Sequence, residues 1–114
     1  MEHQMKLNES PFERIKSGRK IIEIRLFDEK RQKLKVGDTI QFSKLLKLKE
    51  KISVEIIGLL RYKTFSELVA DFPITYFGYA DNFNKEDFVN SIYTIYSKEE
   101  EKRYGVLGMK IRLI

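Results

Sequence analysis

The sequence predicts an α+β fold: a small, mostly antiparallel sheet able to close into a barrel, with two or three flanking helices. Three observations predict it. Between Lys20 and Arg61, apolar residues recur at every second position in runs separated by short polar turns, as consecutive half-buried strands require. Two Ser/Thr-x-x-Glu boxes and one Asn-led amphipathic stretch mark helix starts. The chain has 114 residues with no repeat and no Pro/Gly/Ser linker, so one domain spans residues 1–114.

The elements are expected in the following order. Met5-Lys6-Leu7 reads as a short first strand. Ser10, Pro11 and Glu13 read as N-cap, first helical residue and capping-box partner of a two-turn helix that ends at Gly18. Lys20 to Phe27 is a strand with Ile22, Ile24 and Leu26 on one face and Ile21, Glu23, Arg25 and Phe27 on the other. Asp28 to Lys35 is a basic loop. Gly37-Asp38 turns the chain into a strand carrying Ile40 and Phe42, and Lys47 to Lys51 form a charged hairpin or loop. Ile52, Val54 and Ile56 alternate along a further strand that reaches Arg61 past an irregularity at Gly58. Thr64 and Glu67 open a short helix that closes before Pro73, and Asn84 caps a helix running to about Tyr96. Glu99-Glu100-Glu101 reads as a solvated turn with no function. Leu107, Met109, Ile111 and Leu113 alternate along the last strand. An open sheet would leave exposed edges, which closure into a barrel removes.

Composition narrows the chemistry. There is no cysteine, so disulfides, thiol nucleophiles and thiolate metal sites are excluded. The single histidine, His3, makes a histidine-rich zinc centre or a Ser-His triad unlike this chain. No apolar stretch approaches the ~20 residues of a membrane span, and the polar start does not read as a signal peptide. A cytoplasmic protein without metal or cofactor is the expectation. The net charge of +5 is uneven: residues 1–63 hold 16 basic and 9 acidic side chains, and residues 64–114 hold 6 and 8. A basic half attracts polyanions, nucleic acid among them, although a few excess charges also suit an ordinary solvated surface.

The densest chemistry lies at Gly18-Arg19-Lys20-Ile21-Ile22-Glu23-Ile24-Arg25. Glu23 and Arg25 share a strand face that is otherwise aliphatic. A surface ion pair would explain them; so would the polar mouth of a cleft, with Lys20 as cation, Glu23 as proton acceptor and Arg25 as anion contact. Lys30, Arg31, Lys33 and Lys35 form a basic run that could meet phosphates or simply face water, and Lys44, Lys47, Lys49 and Lys51 form another. Tyr76 and Tyr79 could stack bases, whereas Phe77 and Phe83 read as packing residues of a lid, and Phe88, Ile92 and Tyr96 as core.

The pattern Gly-x-Lys-x-x-Glu-x-Arg (Gly18, Lys20, Glu23, Arg25) resembles the ASCH family (activating signal cointegrator homology), a branch of the PUA-like β-barrels. Agreement continues through Asp28, Gly37-Asp38, Phe42, Tyr62, Phe65 and Leu68 to Tyr104-Gly105-Val106-Leu107-Gly108-Met109, covering roughly residues 5–114. The resemblance implies a β-barrel with a cleft beside the motif strand that binds RNA or a nucleoside or nucleotide. One branch of the family resembles an amidohydrolase of N4-acylated cytidine with a lysine, a threonine nucleophile and an acid. Lys20 matches that lysine, Glu23 stands at the threonine position, and Asp81 is the nearest match to the acid. A catalytic set of Lys20, Glu23 and Asp81, with Glu23 as base rather than nucleophile, is therefore the alternative to a binding module. A protein-interaction module is a third class. The oligomeric state is not legible.

Overall fold

The computed structural model describes residues 1–114. Five strands form one curled sheet: β1 (Glu2–Leu7), β2 (Ile22–Leu26), β3 (Thr39–Lys44), β4 (Lys47–Tyr62) and β5 (Val106–Leu113). Their spatial order is β1-β3-β4-β5-β2. Four helices accompany them: α1 (Glu9–Lys16), α2 (Phe65–Ala70), α3 (Lys85–Ile92) and α4 (Lys98–Tyr104). That is one helix more than the sequence reading allowed.

All pairings are antiparallel except β1 with β3. After β1 the chain passes through α1 and crosses to the far edge as β2. It then returns beside β1 in the same direction, as a parallel pair requires of its connection. The two sheet edges are therefore β1 and β2. They are joined by side chains instead of a backbone ladder: Arg25 Nη2 donates to Lys6 O and Lys30 Nζ to Gln4 O, both at 2.9 Å. The sheet is thus a half-barrel whose open seam is laced by two cations.

Strand alternation feeds two cores. Inside the curl, Leu107, Met109 and Ile111 of β5 meet Ile40, Phe42, Val54 and Ile56, and α1 plugs the interior with Phe12 and Ile15. On the outer face of β2 and β5, Ile22, Ile24, Leu26 and Val106 pack against Phe65, Leu68 and Val69 of α2, Phe77, and Phe88, Val89 and Ile92 of α3. Fully burying one such side chain is worth about 1.5–3 kcal/mol. A sheet buried on both faces at β2 leaves few places for polar residues, which is why the charges on that strand stand out.

Several local expectations need correction: Lys47 to Lys51, expected as a hairpin or loop, begins β4 after the turn at Leu45-Leu46, and α3 ends at Ile92 instead of near Tyr96. Helix α1 starts at Glu9 behind Asn8, and no Ser10–Glu13 capping box forms. Glu13 instead receives the ammonium of buried Lys44 at 2.6 Å, with Glu50 at 3.2 Å from the same nitrogen. Lys44 is thereby removed from the second basic run. Nor is Glu99–Glu101 a solvated turn. Ser97 and Glu100 close a capping box, and α4 carries Glu101 inward. Its carboxylate accepts the Phe65 N–H at 2.7 Å, at the start of α2, and the Tyr93 hydroxyl at 2.8 Å. Burial and this carboxylate push the Tyr93 hydroxyl up to about 12. Charged hydrogen bonds of this kind contribute about 1.5–3 kcal/mol each. Glu101→Ala is therefore expected to cost about 2–3 kcal/mol in urea unfolding; a midpoint equal to that of the parent protein would show that α2 does not depend on this acceptor.

At the start of β3, Asp38 pairs with His3 Nε2 at 2.8 Å and accepts the Lys35 N–H at 3.1 Å. The His3 contact, helped by the Lys35 amide and opposed by burial, holds the carboxyl at about 2, below its ordinary 3.8. A depressed carboxyl stabilises the fold fully above its ordinary value and loses that contribution as the pH falls toward its folded one. The unfolding midpoint of the parent protein is expected to drop between about pH 4 and 2. Asp38→Asn should flatten that part of the profile; an unaltered slope would remove Asp38 from the acid response.

Candidate functional site

The site forms where β2 diverges from β1. Glu23 lies opposite Met109 and Arg25 opposite Leu107, so both point to the inner face of the sheet. Their neighbours on that face are apolar, but the open seam gives the two polar heads room. Lys20 sits just before β2 and is fixed through its backbone. Its N–H donates to Arg14 O at the end of α1 (3.0 Å), and it bridges to Phe77, while Ile21 N–H donates to Tyr76 O (2.9 Å).

The three side chains form one buried array. Lys20 Nζ lies 3.0 Å from Glu23 Oε1, and Arg25 Nε lies 2.9 Å from Glu23 Oε2. Exposure of these side chains is 9% for Lys20, 6% for Glu23 and 13% for Arg25, so this is not the solvent-facing pair that a bare spacing argument allows. Burial pushes the Glu23 carboxyl up, but the charges and hydrogen bonds of Lys20 and Arg25 together outweigh it and hold it below its ordinary value. Burial likewise opposes the Arg25 charge, and Glu23 more than restores it. The array carries a net charge of +1, with spare N–H groups on both cations.

Around it opens a cleft of about 320 Å³. One wall is Lys6, Leu7, Asn8, Pro11 and Arg14 from β1 and α1. The opposite wall is Phe88, Ser91, Ile92, Ile95 and Tyr96 from α3 and the turn after it, with Tyr79 and Leu45 at the ends. One largely apolar wall facing a more polar one, with a few fixed charged groups between, suits a small flat ligand. The residues first read as core, Phe88, Ile92 and Tyr96, serve both purposes: they pack into the outer core and also face the cleft.

The other candidate residues fall in different places. Tyr79 borders the cleft, but its ring is already engaged. The Arg14 guanidinium lies 4.1 Å from its centroid, and Phe83 is stacked at 4.3 Å. Two groups so close occupy opposite faces, so only the edge of Tyr79 is presented to a ligand. Tyr76 is half-buried against Phe72 and does not line the cleft. Asp81 is exposed in the turn after Tyr79 and is not among the lining residues, so the structure does not join it to Lys20 and Glu23. The chain turns inward at Tyr79 against Arg14 and Phe88, and that packing leaves the two following residues outside. Lys30 and Arg31 border a second hollow next to the cleft, whereas Lys33 and Lys35 are exposed and line neither.

Arg14 was missed by sequence reasoning, as was Gly78. Arg14 sits in the last turn of a short helix, where a basic residue has an ordinary explanation in the helix dipole. Gly78 has φ +89°, and a Cβ there would lie 2.8 Å from Arg14 Cδ and 3.0 Å from Lys20 Cβ. This glycine lets the backbone after Phe77 lie directly on both cations. No group of three or more His, Cys, Asp or Glu side chains is placed to hold a metal ion, and no helix is long and apolar enough to cross a membrane.

A mostly antiparallel half-barrel plugged by a helix, with a cationic cleft at its seam, defines a small PUA-like barrel. The ASCH domain family model matches residues 5–114, and the chain belongs to that family. Among solved structures it is similar to the hypothetical protein PH0355, at 35% identity and a TM-score of 0.85 with all of both chains covered. It is also similar to protein PF0455 from Pyrococcus furiosus, at 32% identity and a TM-score of 0.77, covering all of this chain and 98% of that one. No curated protein matches.

Proposed function

We propose that this ASCH domain is an RNA- or nucleotide-binding module that takes a nucleobase into the seam cleft. The observation that carries the reading is the Lys20–Glu23–Arg25 array in a cleft of about 320 Å³ with one largely apolar wall. The flat base would lie against the apolar wall of Phe88, Ile92, Ile95 and Tyr96. Lys20 would donate to a carbonyl on its edge, and a Glu23 oxygen would accept from an exocyclic amine. Arg14, held over Tyr79, adds a further cation at the rim.

The geometry favours binding over amide hydrolysis. Both Glu23 oxygens are engaged by cations, which lowers its basicity and makes it a charge partner instead of a proton carrier near neutral pH. The acid expected at Asp81 stands outside the cleft.

The test is equilibrium binding of a labelled single-stranded RNA, with the four ribonucleosides as competitors. Arg14→Met is expected to weaken binding about tenfold, since a rim cation is lost without breaking an ion pair. Failure of RNA and of every nucleoside to bind at millimolar concentration would reject the reading. Turnover of acylated cytidine that Lys20→Met abolishes would replace it with the hydrolytic one.

A further inference from the structure

Next to the cleft lies a shallow open hollow bordered by Lys6, Arg25, Lys30, Arg31 and Ser43. Four cations and no carboxylate line it, although Arg25 pairs with Glu23 and Arg31 with Asp28 from outside the hollow. Lys6 and Arg25 border both, so the two form one continuous surface. Lys30 has no carboxylate partner; its ammonium is held by Gln4 O at 2.9 Å. The Arg25 guanidinium is held by Lys6 O at the same distance. These carbonyls are two residues apart on β1, about 7 Å along the strand, so both cations sit on one short stretch of the seam. Arg31 bonds Asp28 through Nη1 at 2.9 Å, and its Nε is the one buried side-chain nitrogen in the molecule without an acceptor. Burial, and then the nearby charges of Arg31 and Arg25, push the Lys30 ammonium down.

Glu23 pairs with Arg25 and Asp28 with Arg31, but Lys30 is fixed beside both by a backbone carbonyl with no carboxylate of its own, so this edge keeps a positive charge that an anion would offset. Arginine and lysine side chains gathered around one hollow suit the tetrahedral oxygens of a phosphate. We infer that the hollow of Arg25, Lys30 and Arg31 is a phosphate subsite, so that the ligand of the neighbouring cleft is a phosphorylated nucleotide or a polynucleotide backbone and not a free nucleoside. This rests on the cleft's being the base site. It also assigns the basic loop its working half: Lys30 and Arg31 meet the phosphate, while Lys33 and Lys35 stay in solvent.

The four ribonucleosides, their 5′- and 3′-monophosphates and a short single-stranded RNA should be compared by competition binding at 50 and 200 mM salt. Phosphorylation is expected to tighten binding at least tenfold at low salt. Lys30→Gln should remove most of that gain. Lys102→Gln, the same loss of charge on α4 away from either hollow, should keep it. Monophosphates that gain over inorganic phosphate alone would identify a mononucleotide; a gain confined to RNA would identify a polynucleotide backbone. The inference falls, with the cleft reading intact, if neither the monophosphates nor the RNA bind more tightly than the nucleosides, or if Lys30→Gln and Lys102→Gln act alike. If neither nucleosides nor nucleotides bind, both fall.

Discussion

Replacing Glu23 by alanine is expected to lower stability by about 3–5 kcal/mol, the cost typical of leaving a buried charge without its partner. At about 4 °C per kcal/mol for a domain of this size, the melting temperature should fall by some ~12–20 °C. The reason is geometric. Glu23 is the only carboxylate between Lys20 and Arg25, and all three side chains are almost wholly buried. Its removal sets two cations against each other in a poorly solvated site. Arg25 also holds the seam through Lys6 O, so strain at Arg25 loosens the junction of β2 with β1. The double variant Lys20→Met/Glu23→Leu removes one cation together with the carboxylate and should recover part of the loss, because apolar replacement of a buried pair is often neutral. Equal melting of Glu23→Ala and the parent, measured by circular dichroism, would mean that water reaches the array freely. Glu23→Gln separates the roles: it keeps an acceptor for one cation but drops the charge, and its loss should be intermediate.

The same array shows what a sequence discloses. Period-2 alternation located β2, β3 and the β4 stretch from Ile52 to Arg61 because at least one face of each packs into an apolar layer. Asn84 and Thr64 were legible as caps because an N-terminal helix amide needs a nearby acceptor; each receives the expected N–H, from Asp87 and Glu67. Lys20, Glu23 and Arg25 stood out because charge on an aliphatic strand calls for an explanation. What stayed hidden depended on long-range partners. Glu13 has the spacing of a capping box, but Lys44, 31 residues away, claims it. Glu101 sits in an acidic run that looks solvated, yet it serves an amide 36 residues earlier. The parallel pairing of β1 with β3 is a property of the crossover and leaves no local trace. Arg14 carries no signal beyond its charge, because its role comes from the Tyr79 ring that the fold brings over it.

Gly78→Ala should be the second severe change, and its effect should reach the ligand more than its size suggests. At φ +89° an alanine is strained by about 1–2 kcal/mol. The new methyl would also lie 2.8 Å from Arg14 Cδ and 3.0 Å from the Cβ atoms of Arg14 and Lys20. Arg14 Cδ belongs to a flexible side chain and can swing away, but the two Cβ atoms are fixed to backbone. Lys20 is itself tied to Arg14 O and bridged to Phe77, so the relief must come from shifting the 74–79 segment outward. Overpacking of this kind costs a further ~1–3 kcal/mol. The total, about 2–5 kcal/mol, is comparable with the loss at Glu23. The consequences differ, however. An outward shift separates Tyr79 from Arg14 and draws Lys20 from Glu23, so binding should be lost at temperatures where the variant is still folded. Gly18→Ala is the control: it shares a positive φ of +80° but meets no atom within 4 Å, so it carries the strain without the displacement. If the two glycine variants lose stability equally and both keep full ligand affinity, the close seat of the chain on Arg14 and Lys20 has no part in shaping the cleft.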